Sequence, residues 1–483
     1  MLPSAIQRLD TRAGQSLETT IRRHHRRRLA RVGSIAQLDP PSDGELWSAG
    51  ETPARDACTL DVLIDGQRAL SAVAETLARA RSHIHIAGWH LSPDFGLTRD
   101  ERAARLRDLL GDLAERVDVR VLLWAGAPLP VFTPDRREVR RARAELTRGT
   151  KVKCALDDKE RPMHCHHEKL VIVDGEVAFV GGIDLTSLGG DRFDTGAHPM
   201  RSRLGWHDAA ARVCGPAVAD VASHFACRWR EVSGEAIAPA PAQADAGELQ
   251  LQVVRTVPEN VYEFCPRGDF RVLEAYTRAL RAARSLVYLE SQFLWSSHVV
   301  EILASKLSDP PSDGFRVVVL LPAKPNNGAD MTRGQLGVLA DADRSGERFL
   351  AATISARSGS LVAPLYVHAK IGIVDDAWLT IGSANLNEHS LFNDTEMNLV
   401  CCDQRLARDV RLRLWSEHLE RPLDDVAGKP ARVVDELWRP IAAEQLERRR
   451  RGDAATHRLQ QLPGVSRRTM ALLGPLQGLL VDG

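Results

Sequence analysis

The sequence has no long apolar run, no excess of one charge and no dense set of cysteines. Its 64 Lys and Arg residues equal its 64 Asp and Glu residues, so no overall field favours nucleic acid or a membrane surface. No uninterrupted stretch of about 18 to 20 apolar residues could span a bilayer, and the first residues show no signal-peptide pattern. The eight cysteines lack the spacing of a zinc ribbon or a disulfide scaffold. We therefore expect a cytoplasmic protein with reduced thiols.

What the chain does have is enough apolar sequence for large cores. Hydrophobic residues make up 44% of its 483 residues, which is sufficient for two or three domains. Turn-rich stretches and changes in charge divide the chain into five parts. They are a basic polar N-terminal segment (1–45), a first half (46–235), a linker (236–249), a second half (250–425) and a helical, charged C-terminal tail (426–483).

The densest positive cluster is the run of five arginines and two histidines from Arg22 to Arg28. One interpretation is a solvated helix face. The other is peripheral attachment to anionic lipid headgroups, where each basic residue near the surface contributes about 1 kcal/mol. The sequence leaves both interpretations open.

The two halves show the same alternation of strands and helices. In the first, strand patterns at Leu60–Ile64 and Ile84–Trp89 flank an amphipathic helix at Gln67–Arg81. In the second, a helix at Val272–Ala283 precedes a strand at Leu286–Phe293, and the order of elements repeats. Such alternation is typical of an α/β sheet covered by helices. We interpret the repeat as an internal duplication whose halves pack about a pseudo-twofold axis.

Each half carries the pattern His, any residue, Lys, four residues, Asp. The two copies are His167, Lys169 and Asp174 in the first half, and His368, Lys370 and Asp375 in the second. Each copy is followed by a turn of small residues, Gly181-Gly182-Ile183-Asp184 and Gly382-Ser383-Ala384-Asn385. One copy alone would be a weak signal, but two copies with the same offsets argue against a chance pattern. We expect all six of these residues to be catalytic.

Two histidines with paired lysines suit displacement at a phosphodiester. One imidazole attacks phosphorus, the other protonates the leaving oxygen, and the lysines stabilise charge on the non-bridging oxygens. Alternation along a strand places His167 and Lys169 on the same side. The ammonium groups would supply what magnesium provides in other phosphoryl chemistry, so we expect no cofactor and no metal.

Carboxylates downstream of each motif could orient the imidazoles, as the acid of a catalytic triad does. By sequence position, we expect Asp208 to orient His167 and Glu396 to orient His368.

The cluster His164-Cys165-His166-His167-Glu168 also allows a metal interpretation, because imidazole and thiolate are common zinc ligands. We disfavour it, since neighbouring residues of a strand point to opposite faces and the second half has no counterpart.

At these residues the chain resembles the phospholipase D superfamily, whose signature is a duplicated His-x-Lys-x4-Asp followed by Gly-Ser-x-Asn. The resemblance covers roughly residues 55–425. It extends to Arg192-Phe193-Asp194-Thr195, Trp206-His207-Asp208 and Tyr288 to Phe293, which are similar to phospholipase D proper. The first copy departs from the signature, with Gly182 and Asp184 where the signature has Ser and Asn.

The resemblance implies two α/β/α sandwich halves with the active site between them and a two-step reaction through a phosphohistidine. By matching position, His167 would be the nucleophile and His368 the acid that protonates the leaving alcohol. The remaining residues implied for the phosphate site are Lys169, Lys370, Gly182, Asp184, Ser383 and Asn385.

The function we expect is a phosphoric diester hydrolase of phospholipase D type, which degrades glycerophospholipid to phosphatidic acid and a head-group alcohol. The first alternative is a cardiolipin synthase-type phosphatidyl transferase. A nuclease follows, disfavoured by the balanced charge, and then a non-catalytic anion-binding scaffold. Because both motifs lie in one chain, we expect a monomer whose partner is its phospholipid substrate.

Overall fold

The computed structural model describes residues 5–99, 104–130, 132–238, 245–326 and 329–462. The end of the predicted C-terminal tail, 463–483, lies outside this range.

The strands are β1 (Arg55–Ile64), β2 (His83–Gly88), β3 (Asp118–Trp124), β4 (Lys153–Asp157), β5 (Leu170–Val173), β6 (Val177–Gly181), β7 (Gly205–His207), β8 (Ala209–Cys214), β9 (Leu249–Val257), β10 (Asp269–Phe270), β11 (Leu286–Glu290), β12 (Arg316–Leu320), β13 (Phe349–Ser358), β14 (Leu361–Val367), β15 (Ile371–Val374), β16 (Trp378–Gly382), β17 (Glu396–Cys401) and β18 (Leu459–Gln461). The α-helices are α1 (Ala5–Val32), α2 (Ile35–Leu38), α3 (Gly66–Ala78), α4 (Leu106–Leu113), α5 (Arg136–Thr147), α6 (Ala217–Ser233), α7 (Arg271–Ala282), α8 (Ser297–Ser308), α9 (Ala329–Ala342), α10 (Glu388–Phe392), α11 (Gln404–Leu419), α12 (Leu423–Val426), α13 (Pro430–Val433) and α14 (Arg439–Arg451), with a π-helical turn at Val434–Trp438 before α14.

Each half forms a mixed sheet, and the two sheets have the same strand order. The first runs β1, β8, β6, β5, β2, β3, β4, and the second runs β9, β17, β16, β15, β11, β12, β13. In both, the last three strands are parallel to one another and the other neighbours are antiparallel. This identity of topology confirms the predicted duplication.

The strands that follow the motifs also match in register. β5 is a short β-branched run that turns at Asp174-Gly175 into β6, and β15 turns likewise into β16. Leu170 of β5 lies opposite Ala87 of β2, and Ile371 of β15 lies opposite Glu290 of β11. The two motifs therefore begin at the same end of their sheets.

One apolar core joins the two halves. It includes Val213 and Phe225 from the first half and Ile381 and Trp415 from the second, so α6 and α11 lie on the inner faces of the sheets. The outer faces have separate cores, under α3 to α5 in the first half and under α7 and α8 in the second. Burial of these side chains provides about 1.5–3 kcal/mol each and fixes the predicted sandwich layers.

The basic N-terminal segment forms the long helix α1, part of which packs on the second half. Arg28 is buried and forms an ion pair with Glu259, with 2.7 Å between Nε and Oε1. His25 stacks on Phe392 at 4.2 Å between ring centres. Arg23 and Arg27 are exposed, so only part of the cluster is solvated.

The chain after residue 425 is helical as far as Arg451 and then adds a strand that we did not predict. β18 pairs antiparallel with β13 at the edge of the second sheet. Across the described ranges, no helix combines the length and apolar character needed to cross a membrane.

Candidate active site

The two motif histidines face each other where the halves meet. His167 and His368 lie just before β5 and β15, and their ring centres are 6.5 Å apart in an edge-on arrangement. Both side chains are almost completely buried, with 4% and 5% exposure. The lysine of each motif reaches back beside its histidine, with Lys169 Nζ 2.6 Å from the His167 carbonyl oxygen. The structure therefore brings both copies of the motif into one site.

The carboxylates that orient the histidines are exchanged relative to our prediction. His167 donates from Nδ1 to Glu396, with 3.0 Å to Oε1, and His368 donates from Nδ1 to Asp208 Oδ2 at 2.6 Å. Each imidazole is thus held by the carboxylate of the opposite half. The predicted pairs His167–Asp208 and His368–Glu396 are wrong, because proximity in sequence does not reveal the contact between halves.

Main-chain hydrogen bonds across the interface produce this exchange. The backbone N–H of His167 donates to the Thr395 carbonyl at 2.9 Å, and that of His368 donates to the His207 carbonyl at 2.8 Å. Thr395 and His207 immediately precede Glu396 and Asp208. β7 also pairs in parallel with β14, and an isolated parallel bridge joins His166 to Thr395, so each motif is fixed to the carboxylate segment of the other half.

Burial shapes the electrostatics of both pairs. It raises the pKa of Glu396 to about 8, despite the charge of Lys169 and hydrogen bonds donated by the Ser383 and Ser390 hydroxyls. Burial also lowers the pKa of His368 well below its usual value, and the positive charges of Lys370 and Arg192 act in the same direction. A site that accumulates buried cations around a neutral imidazole is suited to an anionic ligand.

Asp184 and Asn385 occupy equivalent positions behind the lysines. Asp184 Oδ2 lies 3.2 Å from Lys169 Nζ, while its Oδ1 accepts a hydrogen bond from the Trp89 N–H at 3.1 Å. Asn385 Oδ1 accepts in the same way from the Gln292 N–H at 3.3 Å. Asp184 therefore forms an ion pair with Lys169, whose positive charge offsets the negative charge of this carboxylate near the candidate phosphate site.

The first copy has Gly182 where the second copy has Ser383. The reason is that the neighbouring acid is Asp208 in the first half and the longer Glu396 in the second. Ser383 donates a hydrogen bond to Glu396, whereas Gly182 lies against Asp208. A Cβ atom on Gly182 would be 2.2 Å from Asp208 Oδ1, well inside van der Waals contact. Asp is one methylene shorter than Glu, so its carboxylate fills the space that a serine side chain would need.

The motif aspartates lie outside the site, which corrects our placing them among the catalytic residues. Asp174 follows β5 and accepts hydrogen bonds from the backbone N–H groups of Arg81, Ser82 and His83. Asp375 receives the same kind of contact from the N–H groups of residues 284 to 286. At about 3.3 Å per residue, each aspartate is roughly 16 Å along the chain from its lysine. They hold the ends of β5 and β15 that are far from the histidines against the neighbouring strands β2 and β11.

Arg192 is a site residue that sequence reasoning missed. Its guanidinium carbon lies 3.2 Å from the centre of the Trp206 ring, and that ring is 4.5 Å from the His368 ring. Arg192 is 4% exposed, and burial lowers its pKa to about 10. Within the described part of the chain, its Nε and Nη1 have no hydrogen-bond partner. A buried guanidinium with two unused donors is a ready anion ligand, and its place in the Arg-Phe-Asp-Thr segment was the available signal.

The residues on either side of His167 point away from the site, as strand alternation requires. Glu168 accepts hydrogen bonds from His224 and Arg228, and His166 lies 3.2 Å from Asp157. These contacts form a buried ionic layer beneath the motif. The same layer holds the His167 loop rigidly against α6, which carries His224 and Arg228.

Comparison with protein families agrees with this geometry. Residues 76–205 match the family described as "Phospholipase D", and residues 276–416 match the family described as "Cardiolipin synthase, PLD-like domain". The chain belongs to the phospholipase D superfamily. Each match lies within one of the two halves and includes one member of the histidine pair.

Among curated relatives in this superfamily, phospholipase D A of Dictyostelium discoideum is 26% identical over 465 residues. That alignment covers 76% of this chain but only 36% of the Dictyostelium protein. The major cardiolipin synthase ClsA of Bacillus subtilis (strain 168) is 25% identical, with 76% of this chain and 72% of that protein aligned.

A solved structure shares the phospholipase D fold. The phosphatidylserine synthase of Haemophilus influenzae Rd KW20 has a TM-score of 0.52 and 12% sequence identity, over 75% of this chain and 86% of that one. At this identity the likeness establishes the fold of the two halves.

Proposed function

We propose that this protein is a phospholipase D-type phosphodiesterase that hydrolyses glycerophospholipids to phosphatidic acid and a head-group alcohol. The observation that carries the proposal is the facing pair His167 and His368, each oriented through Nδ1 by a buried carboxylate of the opposite half. The pair presents two Nε2 atoms to one phosphorus, which is the arrangement that double displacement needs.

In the first step, Nε2 of His167 attacks phosphorus. The P–N bond forms as the bond from phosphorus to the head-group oxygen breaks, and protonated His368 gives its Nε2 proton to that oxygen. In its ionised form, Glu396 accepts the Nδ1 hydrogen bond of His167 and stabilises the positive charge that develops on the ring. Because burial raises the pKa of Glu396 to about 8, this form grows as pH rises through that value. The products of this step are a phosphatidyl-histidine and the released alcohol.

In the second step, neutral His368 takes a proton from water as the water oxygen attacks phosphorus. The P–N bond then breaks, His167 leaves as a neutral imidazole, and phosphatidic acid is released. The protonated His368 is thereby restored for the next cycle. The same residue serves as acid and then as base, because the two steps are chemically the reverse of each other.

Three cations support charge on the non-bridging oxygens. Lys169 and Lys370 flank the histidines, and Arg192 offers two buried donors beside Trp206. Such fixed charges in a site shielded from water stabilise the transition state more strongly than the same charges would in solvent.

A second candidate is phosphatidyl transfer of the cardiolipin synthase type, favoured by the family match over 276–416 and by similarity to the Bacillus protein. In this reaction an alcohol, rather than water, takes the phosphatidyl group from His167. The proposed residues and the phosphatidyl-histidine intermediate are unchanged, and only the acceptor differs.

Peripheral contact with anionic lipid would use the exposed side of α1. Arg23 and Arg27 are exposed and lie one helical turn apart, whereas Arg28 is committed to Glu259. Each exposed arginine would add about 1 kcal/mol near an anionic surface. Because one chain supplies both histidines, we also propose that a monomer is active.

The test is incubation with mixed phospholipid vesicles, with and without ethanol or glycerol, followed by mass analysis of the products. Phosphatidic acid is expected with water alone, and a phosphatidyl alcohol when an acceptor is present. His167→Ala and His368→Ala should each lower the rate by at least about a thousandfold, while His83→Ala, beside Asp174 at the far end of β2, should retain full rate. Products that persist in either active-site variant, or cleavage of nucleic acid in preference to lipid, would contradict the proposal.

A further inference from the structure

Beside the nucleophile, the structure brings together three metal-ligating side chains that the proposed reaction does not use. His164 comes from the segment before the first motif, while His389 lies on α10 and Asp394 just beyond its end. The Nδ1 atoms of the two histidines are 2.9 Å apart, and His164 Nδ1 lies 3.4 Å from Asp394 Oδ1. The convergence of His164 with the second half is a tertiary effect that its immediate neighbours in sequence do not reveal.

These separations have the size of the edges of a metal coordination shell. With metal–nitrogen bonds of about 2.0–2.1 Å, neighbouring ligand atoms lie about 2.9 Å apart around an octahedral ion and about 3.3 Å apart around a tetrahedral one. Two imidazole nitrogens and a carboxylate oxygen form a donor set typical of zinc and similar first-row ions.

A second, independent observation is the unused oxygen of Asp394. Its side chain is fully buried, and Oδ2 has no hydrogen-bond partner among the described residues. A buried carboxylate oxygen without a donor costs free energy unless a cation or a hydrogen bond satisfies it. His164 is 18% exposed, so the cluster has an open side through which an ion could reach it.

The backbone positions these ligands in advance. The N–H groups of Asn393 and Asp394 both donate to the His389 carbonyl, at 2.8 and 2.9 Å. The Cys165 N–H donates to Asp394 Oδ1 at 2.9 Å, which draws His164 toward the other two. A site held by its main chain loses little entropy when an ion binds.

We propose that His164, His389 and Asp394 bind a divalent metal ion of the zinc class, which clips the first half to the second beside the nucleophile. Two of its ligands are close in sequence to the proposed catalytic pair. His164 lies three residues before His167, and Asp394 lies two residues before Glu396. The role of the ion would be to hold these two segments in register and so to position the His167–Glu396 pair.

In the two other clusters of metal-ligating groups among the described residues, His207 and His198 use both ring nitrogens in ion pairs. His207 lies between Asp65 and Glu290, with 2.9 Å from each ring nitrogen to an acid oxygen. His198 lies between Asp194 and Glu417 at 3.2 and 3.1 Å. Rings whose two nitrogens both donate to carboxylates have no lone pair for a metal, so His207 and His198 are not available as ligands in those clusters.

The direct test is titration of the purified full-length protein, stripped of metal, with Co²⁺ as a spectroscopic probe and Zn²⁺ as its competitor. Wild type should develop visible Co²⁺ absorption that saturates at about one equivalent and is displaced by Zn²⁺. Excess Zn²⁺ should raise Tm by about 2 °C or more, because it binds only the folded chain.

His164→Ala is the most informative variant, because His164 is the least buried of the three ligands. It should weaken Co²⁺ binding at least about tenfold and abolish the Zn²⁺-dependent rise in Tm. His389→Gln should do the same, and the exposed His24→Ala should behave as wild type. Circular dichroism confirms that each variant is folded before titration.

The proposal is overturned if wild type shows no stoichiometric Co²⁺ band, or if folded His164→Ala and His389→Gln both bind Co²⁺ as wild type does. The contact would then be a plain hydrogen bond between imidazoles. These readouts do not depend on enzymatic turnover, so the metal site and the proposed activity can fail separately.

Discussion

Glu396 in the second half accepts a hydrogen bond from His167 in the first, with 3.0 Å between Oε1 and Nδ1. The reciprocal contact joins Asp208 of the first half to His368 of the second at 2.6 Å. Neither half therefore contains a complete histidine–carboxylate pair. The interface that holds these contacts is buried and joined by a continuous core.

The exchanged pairs predict the effect of neutralising each acid. Glu396→Gln and Asp208→Asn should each reduce kcat by about 10²- to 10⁴-fold with little change in KM, because the amide cannot hold its imidazole in the same orientation and charge state. Steady-state kinetics on vesicles measure this, with the exposed Glu301→Gln as control. Wild-type kcat in either variant would mean that the acids do not orient the histidines.

The motif aspartates should matter for stability and not for chemistry. Asp174→Ala removes the acceptor for three backbone N–H groups and the Ser82 hydroxyl. Leaving these donors with fewer partners should cost about 1–3 kcal/mol in the free energy of unfolding. We expect a lower midpoint in urea and an unchanged kcat per folded molecule, and the same for Asp375→Ala. A large fall in kcat without loss of stability would show that these residues do take part in the reaction.

Gly182 should not tolerate the serine that the second half carries at Ser383. In Gly182→Ser the new Cβ would approach Asp208 Oδ1 to 2.2 Å, so the carboxylate must move away from His368. We expect kcat to fall by about tenfold or more and the unfolding free energy to fall by about 1–3 kcal/mol. Gly314→Ser, where a Cβ meets its nearest atom at 3.8 Å, is the matched control. Wild-type behaviour of both variants would show that Asp208 does not occupy the space we describe.

Arg192 should bind the phosphate of the substrate. Arg192→Gln is expected to lower kcat/KM by about 10- to 10³-fold, and Arg192→Lys to recover only part of it, because lysine lacks the planar pair of donors. The control is Arg203→Gln, an exposed arginine that donates to the Ser187 carbonyl. Unchanged kinetics in Arg192→Gln would exclude contact with the substrate.

The pH dependence should reveal the cations around His368. Burial and the charges of Lys370 and Arg192 lower the pKa of His368, so the protonated acid is lost as pH rises through a value below 6.5. kcat/KM reports the unliganded enzyme, so it should fall as pH rises through this value. A bound phosphodiester anion offsets the cations and raises the pKa, so the corresponding fall in kcat should lie at higher pH. Arg192→Gln should shift the fall in kcat/KM to higher pH. If kcat and kcat/KM of wild type fall at the same pH, this explanation is contradicted.

Local patterns were sufficient to predict the duplicated α/β fold and the two motifs. Strand and helix periodicity, the turn at Asp174-Gly175 and the spacing between His167 and Lys169 depend only on neighbouring residues, and the structure shows each of them. The packing of the N-terminal helix could not be predicted from local patterns, because His25 and Arg28 are buried only through contacts with the distant residues Phe392 and Glu259.

By itself, then, the sequence determined the repeat, the fold class and the positions of the two motifs, including the two histidines and two lysines that we propose carry the reactive groups, since these follow from spacing along one chain. The tertiary structure alone decided which acid orients which histidine, removed Asp174 and Asp375 from the site, and placed Arg192 beside His368. It also joined His164 to His389 and Asp394. The physical reason is that these contacts depend on the register between two sheets, which is set by the packing of their shared core and by hydrogen bonds such as that from the His167 N–H to the Thr395 carbonyl.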